Sequence, residues 1–377
     1  MLNWVEVHAD ALRSNLSQFR RRLGGGARLG AVVKSNAYGH GMAQVAPLVL
    51  EAGADWLCVN NIDEAQELRG LGLEAPLLVM GYTPLDRLAD VVEHDVRQVV
   101  YNRRTLERLA ELAEAAGKRV PVHLKVETGT YRQGVAEEHV PEMVGLIAGS
   151  RSLLLEGLTT HFANIEDTTD HGFAETQMAV FGRIEDGLAG AGYPVPIRHT
   201  ACSAAALLFT RTHMDLVRLG ISLYGLWPSK ETYVSCLELG KPALDLCPAL
   251  TWKTRVAQVK EVPEDSSVSY GCTFRTTRPS RMAVLPVGYY EGYDRAFSNR
   301  AYVLIGGRRA PVRGRVCMNM TLVDITDIPD VALEDEVVLL GRQGGEVLRA
   351  EQLAEWCGTI AYEIVARIHG GLPRVVV

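Results

Sequence analysis

The first two-thirds of the chain alternate short apolar, β-branched runs with stretches of helical spacing. Candidate strands fall at residues 29–34, 56–59, 77–80, 97–100, 121–126, 154–158, 197–200 and 215–218. Helical patterns lie between them, for example over 61–70 and 103–116, and Gly53 and Gly117 stand where helix C-caps belong. Strands alternating with helices in this way predict an α/β fold, a (β/α)8 TIM-type barrel. An open doubly wound sheet is the rival. No G-x-G-x-x-G follows a strand, which argues against its dinucleotide-binding form.

Beyond about Lys241 helical periodicity nearly disappears. Short alternating runs take over at 254–262, 281–286, 301–305, 320–325 and 337–340, separated by turn signals such as Gly306-Gly307 and Gly344-Gly345. One helical stretch lies near 350–357. The pattern predicts a barrel domain over residues 1–240 and a mainly β C-terminal domain over 241–377. The length of 377 residues fits two such domains.

Composition narrows the function classes. Apolar residues make up 47% and charged residues 22%, an ordinary globular balance. The net charge is −6 and the basic residues are scattered; the densest group, Arg20 to Arg22, ends a helical pattern. Nucleic-acid and anionic-membrane partners are therefore not expected. Cys58, Cys202, Cys236, Cys247, Cys272, Cys317 and Cys357 are odd in number and show no C-x-x-C spacing, which speaks against a zinc site or a disulfide framework. The first residues lack the basic start and apolar stretch of a signal peptide, and no apolar run approaches membrane-spanning length. A cytoplasmic enzyme without metal is the expectation.

In a (β/α)8 barrel, chemistry sits at the C-terminal ends of the strands. Lys34, Lys125, His161, Ser203 and Arg218 fall there, with Arg132 in the loop after the fifth strand. Lys34 ends an apolar strand, a costly place for an amine without a partner or a task. A Schiff base with an aldehyde cofactor is such a task. Taken alone, each of these residues also has a plainer reading, as a snorkelling lysine, a satisfied strand-end histidine or a surface ion pair.

The segment Lys34-Ser35-Asn36-Ala37-Tyr38-Gly39-His40-Gly41 resembles the signature of the alanine racemase family. Further segments resemble that family in its order: Thr160-His161-Phe162-Ala163, Arg218 to Gly225, Val268 to Phe274 around Tyr270, Pro286 to Tyr289, Gly314 to Met318, and Thr359 to Glu363. The resemblance covers nearly the whole chain. It implies a racemase dependent on pyridoxal 5'-phosphate (PLP) that interconverts L- and D-alanine and supplies D-alanine for cell-wall peptidoglycan.

The resemblance also implies roles. Lys34 carries PLP through a Schiff base and exchanges the Cα proton on one face, and Tyr270 serves the other face. A free tyrosine titrates near pH ~10, so a basic tyrosine needs neighbours that favour the phenolate. His161 is expected to contact Tyr270 and to pack near Arg218. Arg218 faces the pyridine nitrogen, where a permanently charged guanidinium donates a hydrogen bond without giving up its proton. Tyr38, Ser203, Gly220, Ile221 and Tyr362 hold the phosphate. Arg132 contacts the phenolic oxygen and the substrate carboxylate, and the counterpart of Lys125 is carbamylated in many family members, which orients this arginine. Tyr289, Met318 and Asn319 line the substrate side. The assembly implied is a homodimer with shared sites, Tyr270 coming from the partner subunit.

Several positions depart from the family pattern. Asn319 stands for the usual Asp, Cys202 for the Asn before Ser203, Glu127 for an Asp, and Tyr290-Glu291 for Ala-Asp. The segment 130–134 also differs. These changes leave Lys34 and Tyr270 intact but bear on substrate preference, with serine as the next candidate after alanine. Two other readings compete. Barrel-type PLP decarboxylases place a Glu on the pyridine nitrogen, which Arg218 disfavours. PLP-carrier proteins have the barrel alone, which the β domain disfavours.

Overall fold

The computed structural model describes residues 1–23 and 26–377. The first strand, β1 (Asn3–Val7), is followed by helix Ala9–Leu23. The next eight strands among the described residues are β2 (Arg28–Val32), β3 (Trp56–Val59), β4 (Leu77–Val79), β5 (Arg97–Val100), β6 (Val120–Lys125), β7 (Leu153–Thr159), β8 (Ile197–His199) and β9 (Leu216–Leu219). They form one sheet in the order β8-β7-β6-β5-β4-β3-β2-β9, with parallel neighbours throughout. Between β8 and β9 the sheet is nearly closed: Asp215 N–H donates to Arg198 O and Arg218 N–H to Ala201 O, each at 3.1 Å. This is the TIM-type barrel expected from the alternation. A parallel strand is covered on both faces, so it reads as a continuous apolar run rather than an alternating one. β3 and β4 are buried along their whole length.

The helices show the complementary signal. Helix Arg103–Ala115 buries Thr105, Leu106, Leu109 and Ala113, one stripe at helical spacing, and Gly117 follows it at φ +64°. Helix Ile62–Gly70 is capped by Asn61, whose side chain accepts from Glu64 N–H at 2.9 Å. Glu64 then reaches outward: its carboxylate accepts Asn60 N–H at 2.7 Å and Ser35 N–H at 2.6 Å, tying the residue after Lys34 to the start of this helix.

The remaining strands are β10 (Leu250–Arg255), β11 (Gln258–Val262), β12 (Ser267–Val268), β13 (Phe274–Arg275), β14 (Ser280–Leu285), β15 (Tyr302–Ile305), β16 (Arg308–Pro311), β17 (Thr321–Asp324), β18 (Glu336–Gln343), β19 (Glu346–Leu348) and β20 (Arg374–Val376). The mainly β character of this part matches the sequence reading, with helix Ala350–Cys357 as foreseen and a second helix, Ala361–Ala366, beyond it. The run 254–262 is two strands rather than one. Val256 N–H bonds to Asp335 O and Ala257 N–H to Val284 O, so the chain passes there from the sheet of β10 to the sheet of β11.

The chain divides into two compact units: residues 12–35 and 46–247, which hold the barrel, and residues 1–11, 36–45 and 248–377. A single cut at 240/241 does not describe this division. β1 pairs with β10 (Val5 opposite Trp252) and with β20 (Val5 opposite Arg374), so the N-terminal residues are sheet partners of the C-terminal ones. Among the described residues no helix is long and apolar enough to cross a membrane.

Candidate active site

The barrel unit places Lys34, Lys125, His161 and Arg218 at or just past the C-terminal ends of β2, β6 and β7 and on β9, with Ser203 following β8. β2 stops at Val32, two residues before Lys34, which opens a short turn, Lys34–Tyr38. Ser35, Asn36, Ala37 and Tyr38 have φ of 56°, 53°, 52° and 53°, so this turn is left-handed. For L-residues that handedness costs on the order of 1–2 kcal/mol each, a strain kept only where surrounding contacts impose it.

Arg218, on β9, is buried at 6% exposure. One terminal nitrogen donates to His199 O at 2.7 Å, to Thr159 Oγ1 at 3.1 Å and to His199 Nδ1 at 2.5 Å. The other donates to Thr160 O at 2.9 Å, Thr200 O at 3.1 Å and His161 Nδ1 at 3.4 Å. Among the described residues no carboxylate lies within ion-pairing distance of it. The expected proximity of His161 to Arg218 is present.

Lys34, Lys125 and Arg132 share this positive field. Burial lowers the Lys34 ammonium from its ordinary value, and Arg132 lowers it further against a smaller opposing effect of Glu64. Lys125, which ends β6, is pushed down to about 8 by burial, with Arg218, Arg132 and Lys34 adding to the effect and Glu127 opposing it. Its Nζ contacts Gln133 Oε1 at 3.3 Å. His161 is held well below its usual range by burial and then by Arg218, Arg132, Lys125 and Lys34, so its imidazole is neutral. Ser203 opens helix Ser203–Leu208, and its hydroxyl accepts Gly220 N–H at 3.0 Å and Ser222 N–H at 3.3 Å, which places Ser203, Gly220 and Ile221 side by side. Cys202 caps that helix without a side-chain hydrogen bond.

The second unit holds the other expected residues. Tyr38 and Tyr362 face each other with ring centroids 6.1 Å apart. Tyr270 is 73% exposed at the tip of the β12–β13 hairpin, where Ser269, Gly271 and Cys272 all have positive φ. Ser269 Oγ ties this tip to Arg315 O at 2.6 Å. Tyr289 N–H donates to Cys317 O at 3.1 Å and Tyr290 N–H to Met318 O at 2.9 Å, bringing Tyr289, Met318 and Asn319 onto adjoining segments. Gly288 permits this approach, since a Cβ there would lie 2.1 Å from Cys317 O.

Two departures that read separately in the sequence prove to be one contact. Asn319 Nδ2 donates to Glu291 Oε1 at 2.7 Å, and the other Glu291 oxygen accepts Gly288 N–H at 2.8 Å. Sequence reasoning also missed Glu64 as the support of the Lys34 turn, although its place three residues after a capping Asn was visible.

The site residues fit an anionic cofactor such as PLP. Several cations converge on the barrel mouth, and among the described residues no carboxylate pairs with Arg218, while the Ser203 hydroxyl lies beside two backbone N–H groups. Among the described residues no cluster of three or more His, Cys, Asp or Glu is placed to hold a metal ion.

Residues 7–228 match the family described as alanine racemase, N-terminal domain, and residues 249–376 match alanine racemase, C-terminal domain. The chain is 41% identical over 382 residues to an alanine racemase of Desulfosudis oleivorans, covering 99% of this chain and 96% of that one. The fold is similar to that of alanine racemase from D-cycloserine-producing Streptomyces lavendulae, with a TM-score of 0.92 and 35% identity over 100% of this chain and 97% of that one. It is also similar to alanine racemase from Bacillus anthracis with bound L-Ala-P, with a TM-score of 0.92 and 34% identity over 100% and 95% of the two chains. A barrel and a β unit matched over their full length define the class, an amino-acid racemase and hence an isomerase. The chain belongs to the alanine racemase family.

The Asn319–Glu291 contact yields a stability prediction. Asn319→Asp would set two carboxylates at the observed 2.7 Å contact, which is tolerable only if they share a proton. The shared proton gives a folded-state pKa above the unfolded one, so stability is present at low pH and lost as pH rises. The variant should melt below the parent at pH ~8 and approach it at pH ~5. Equal melting temperatures at both values would show that the contact is not kept in solution.

Proposed function

We propose that this chain interconverts L- and D-alanine with PLP as cofactor, working as a homodimer whose sites each combine Lys34 of one subunit with Tyr270 of the partner subunit. The observation that carries the reading is the crowding of Lys34, Lys125, Arg132 and Arg218 around a neutral His161, with no carboxylate among the described residues paired to Arg218. Such a field suits a doubly anionic cofactor and a substrate carboxylate. PLP, when bound, supplies an aldehyde that condenses with an amine and a ring that draws electrons from the Cα–H bond beside it.

Lys34 would hold the cofactor through Nζ, Arg218 would face its pyridine nitrogen, and Ser203, Gly220, Ile221, Tyr38 and Tyr362 would bind its phosphate. Arg132 binds the substrate carboxylate. Burial and Arg132 lower the Lys34 ammonium, which makes its free amine available as a base closer to neutral pH. Lys34 Nζ takes or returns the Cα proton on one face, and the Tyr270 hydroxyl does so on the other. His161 accepts from Arg218 at Nδ1, so its own proton is on Nε2, from which it can donate to the Tyr270 oxygen. Arg218 would donate to the ring nitrogen and keep its proton, which would favour return of the Cα proton over other outcomes. Tyr289, Met318 and Asn319 border the substrate, and serine is the second substrate to assay. The product D-alanine would serve cell-wall peptidoglycan, and the enzyme would act in the cytoplasm.

Complementation tests the shared site. Lys34→Ala and Tyr270→Ala dimers should each be nearly inactive in a D/L-alanine assay. Unfolded and refolded together, about half the dimers should be hybrids with one intact site, restoring about a quarter of parental activity. A mixture that stays inactive while hybrids are shown to form would place both residues in one subunit's site.

Lys125 provides a second test. Its amine, with the pKa pushed down to about 8, is nucleophilic enough near neutrality to attack CO2. The N–C bond forms, a proton leaves Nζ, and the resulting carbamate is an anion among cations. Carbon-13 bicarbonate should give a carbamate resonance that grows as pH rises through this range, fades on acidification and is missing in Lys125→Ala. A parent without that resonance would show that Lys125 acts as a plain amine.

A further inference from the structure

Glu156, on β7, bears on how Arg218 behaves, although the two side chains do not touch. Glu156 Oε2 accepts from Arg97 Nε at 2.8 Å and from His123 Nε2 at 3.0 Å. His123 Nδ1 meets His199 Nε2 at 2.7 Å, and His199 Nδ1 meets Arg218 at 2.5 Å. Both imidazoles are fully buried. Gly157 makes room for the first, since a Cβ there would lie 2.3 Å from the His123 ring. The result is a line of hydrogen bonds across β7, β6, β8 and β9, from a carboxylate to a guanidinium.

The two ends determine every proton in between. Arg218 can only donate, so His199 Nδ1 is an acceptor. Burial, then Arg218, holds His199 well below its usual range, so it is neutral with its proton on Nε2. That proton goes to His123 Nδ1. His123 is likewise lowered, chiefly by burial, and carries its own proton on Nε2, aimed at Glu156. Burial alone would raise the Glu156 carboxyl, but the His123 bond and Arg97 hold it below its ordinary value, so it is an anion that accepts. The line therefore has one direction, and bonds in such a line polarise one another.

We propose that Glu156 is a positioning residue for the racemisation: through the fixed tautomers of His123 and His199 it draws on the charge of Arg218 and keeps that guanidinium a moderated donor toward the cofactor's pyridine nitrogen. This rests on the role assigned to Arg218 above. Without the carboxylate, Arg218 is more electropositive, the ring withdraws electrons more strongly, and reactions other than proton return gain ground. Pairing with Arg97 alone would account for the charge of Glu156 but not for the His123–His199 line that leads to Arg218.

The test has two readouts. In protein labelled with nitrogen-15 at the histidine rings, with signals assigned through His123→Gln and His199→Gln, both histidines should show the neutral Nε2–H form; a proton on Nδ1 of either would overturn the relay. In PLP-loaded protein carrying nitrogen-15 in the pyridine ring, Glu156→Gln keeps the shape and removes the charge. The ring-nitrogen resonance should move toward that of the protonated ring, and transamination per racemisation turnover should rise several-fold. His123→Gln, which breaks the line, should move both in the same direction. Variants that lose thermal stability while the resonance and the partition ratio stay at parental values would reduce Glu156 to a packing role. A parent that does not racemise alanine would sink the functional reading and this inference with it. A parent that racemises, with an unmoved resonance in Glu156→Gln, would sink the inference alone.

Discussion

A permanently charged guanidinium buried at the end of a barrel strand is the constraint on which the site depends. Arg218 is almost out of water, and a buried charge is tolerated only when its hydrogen-bonding capacity is met. The C-terminal ends of parallel strands offer carbonyls that have run out of ladder partners. Here the carbonyls of Thr160, His199 and Thr200 meet Arg218, so the cation and the strand ends satisfy each other. The same bonds set the lone pairs of His161 and His199 toward Arg218. Burial first, and then this charge, lowers Lys125 and keeps His161 neutral. One residue thus organises the hydrogen bonds and proton positions of the barrel mouth, and adds to the effect of burial on Lys125 and His161.

Two turns take backbone conformations that ordinary residues avoid. The left-handed turn after Lys34 uses Ser35, Asn36, Ala37 and Tyr38, none of them glycine. Glu64 holds its start by accepting Ser35 N–H, and Asn36 Oδ1 accepts Met42 N–H at 2.8 Å at its end. The Tyr270 tip is similar, with three positive φ values in a short hairpin anchored through Ser269. In both places polar side chains compensate the backbone beside a residue proposed to exchange the Cα proton.

The barrel was legible because each strand is an apolar run and each helix an amphipathic stripe, both local signals. Lys34, Lys125, His161 and Arg218 were legible for the same reason, as polar residues at or just past the ends of apolar runs. β1 was not: its partners β10 and β20 lie at the far end of the chain, and nothing within Asn3–Val7 points there. The change of sheet at Val256 and Ala257 is likewise set by distant carbonyls. His123, Glu156 and His199 sit inside strands, where the sequence reading saw only β pattern, yet a polar side chain in a parallel strand implies a buried partner. The Asn319–Glu291 contact shows the limit of reading positions one at a time, because two departures joined by a hydrogen bond amount to one change.

Lys34 is proposed as the residue that binds PLP covalently within this cation cluster. Borohydride reduction of the PLP-loaded protein, followed by peptide mapping, tests it most directly. The account predicts a single stable phosphopyridoxyl adduct on Lys34, in a peptide that resists tryptic cleavage at that residue. An adduct on Lys125 or any other lysine, with Lys34 unmodified, would contradict it.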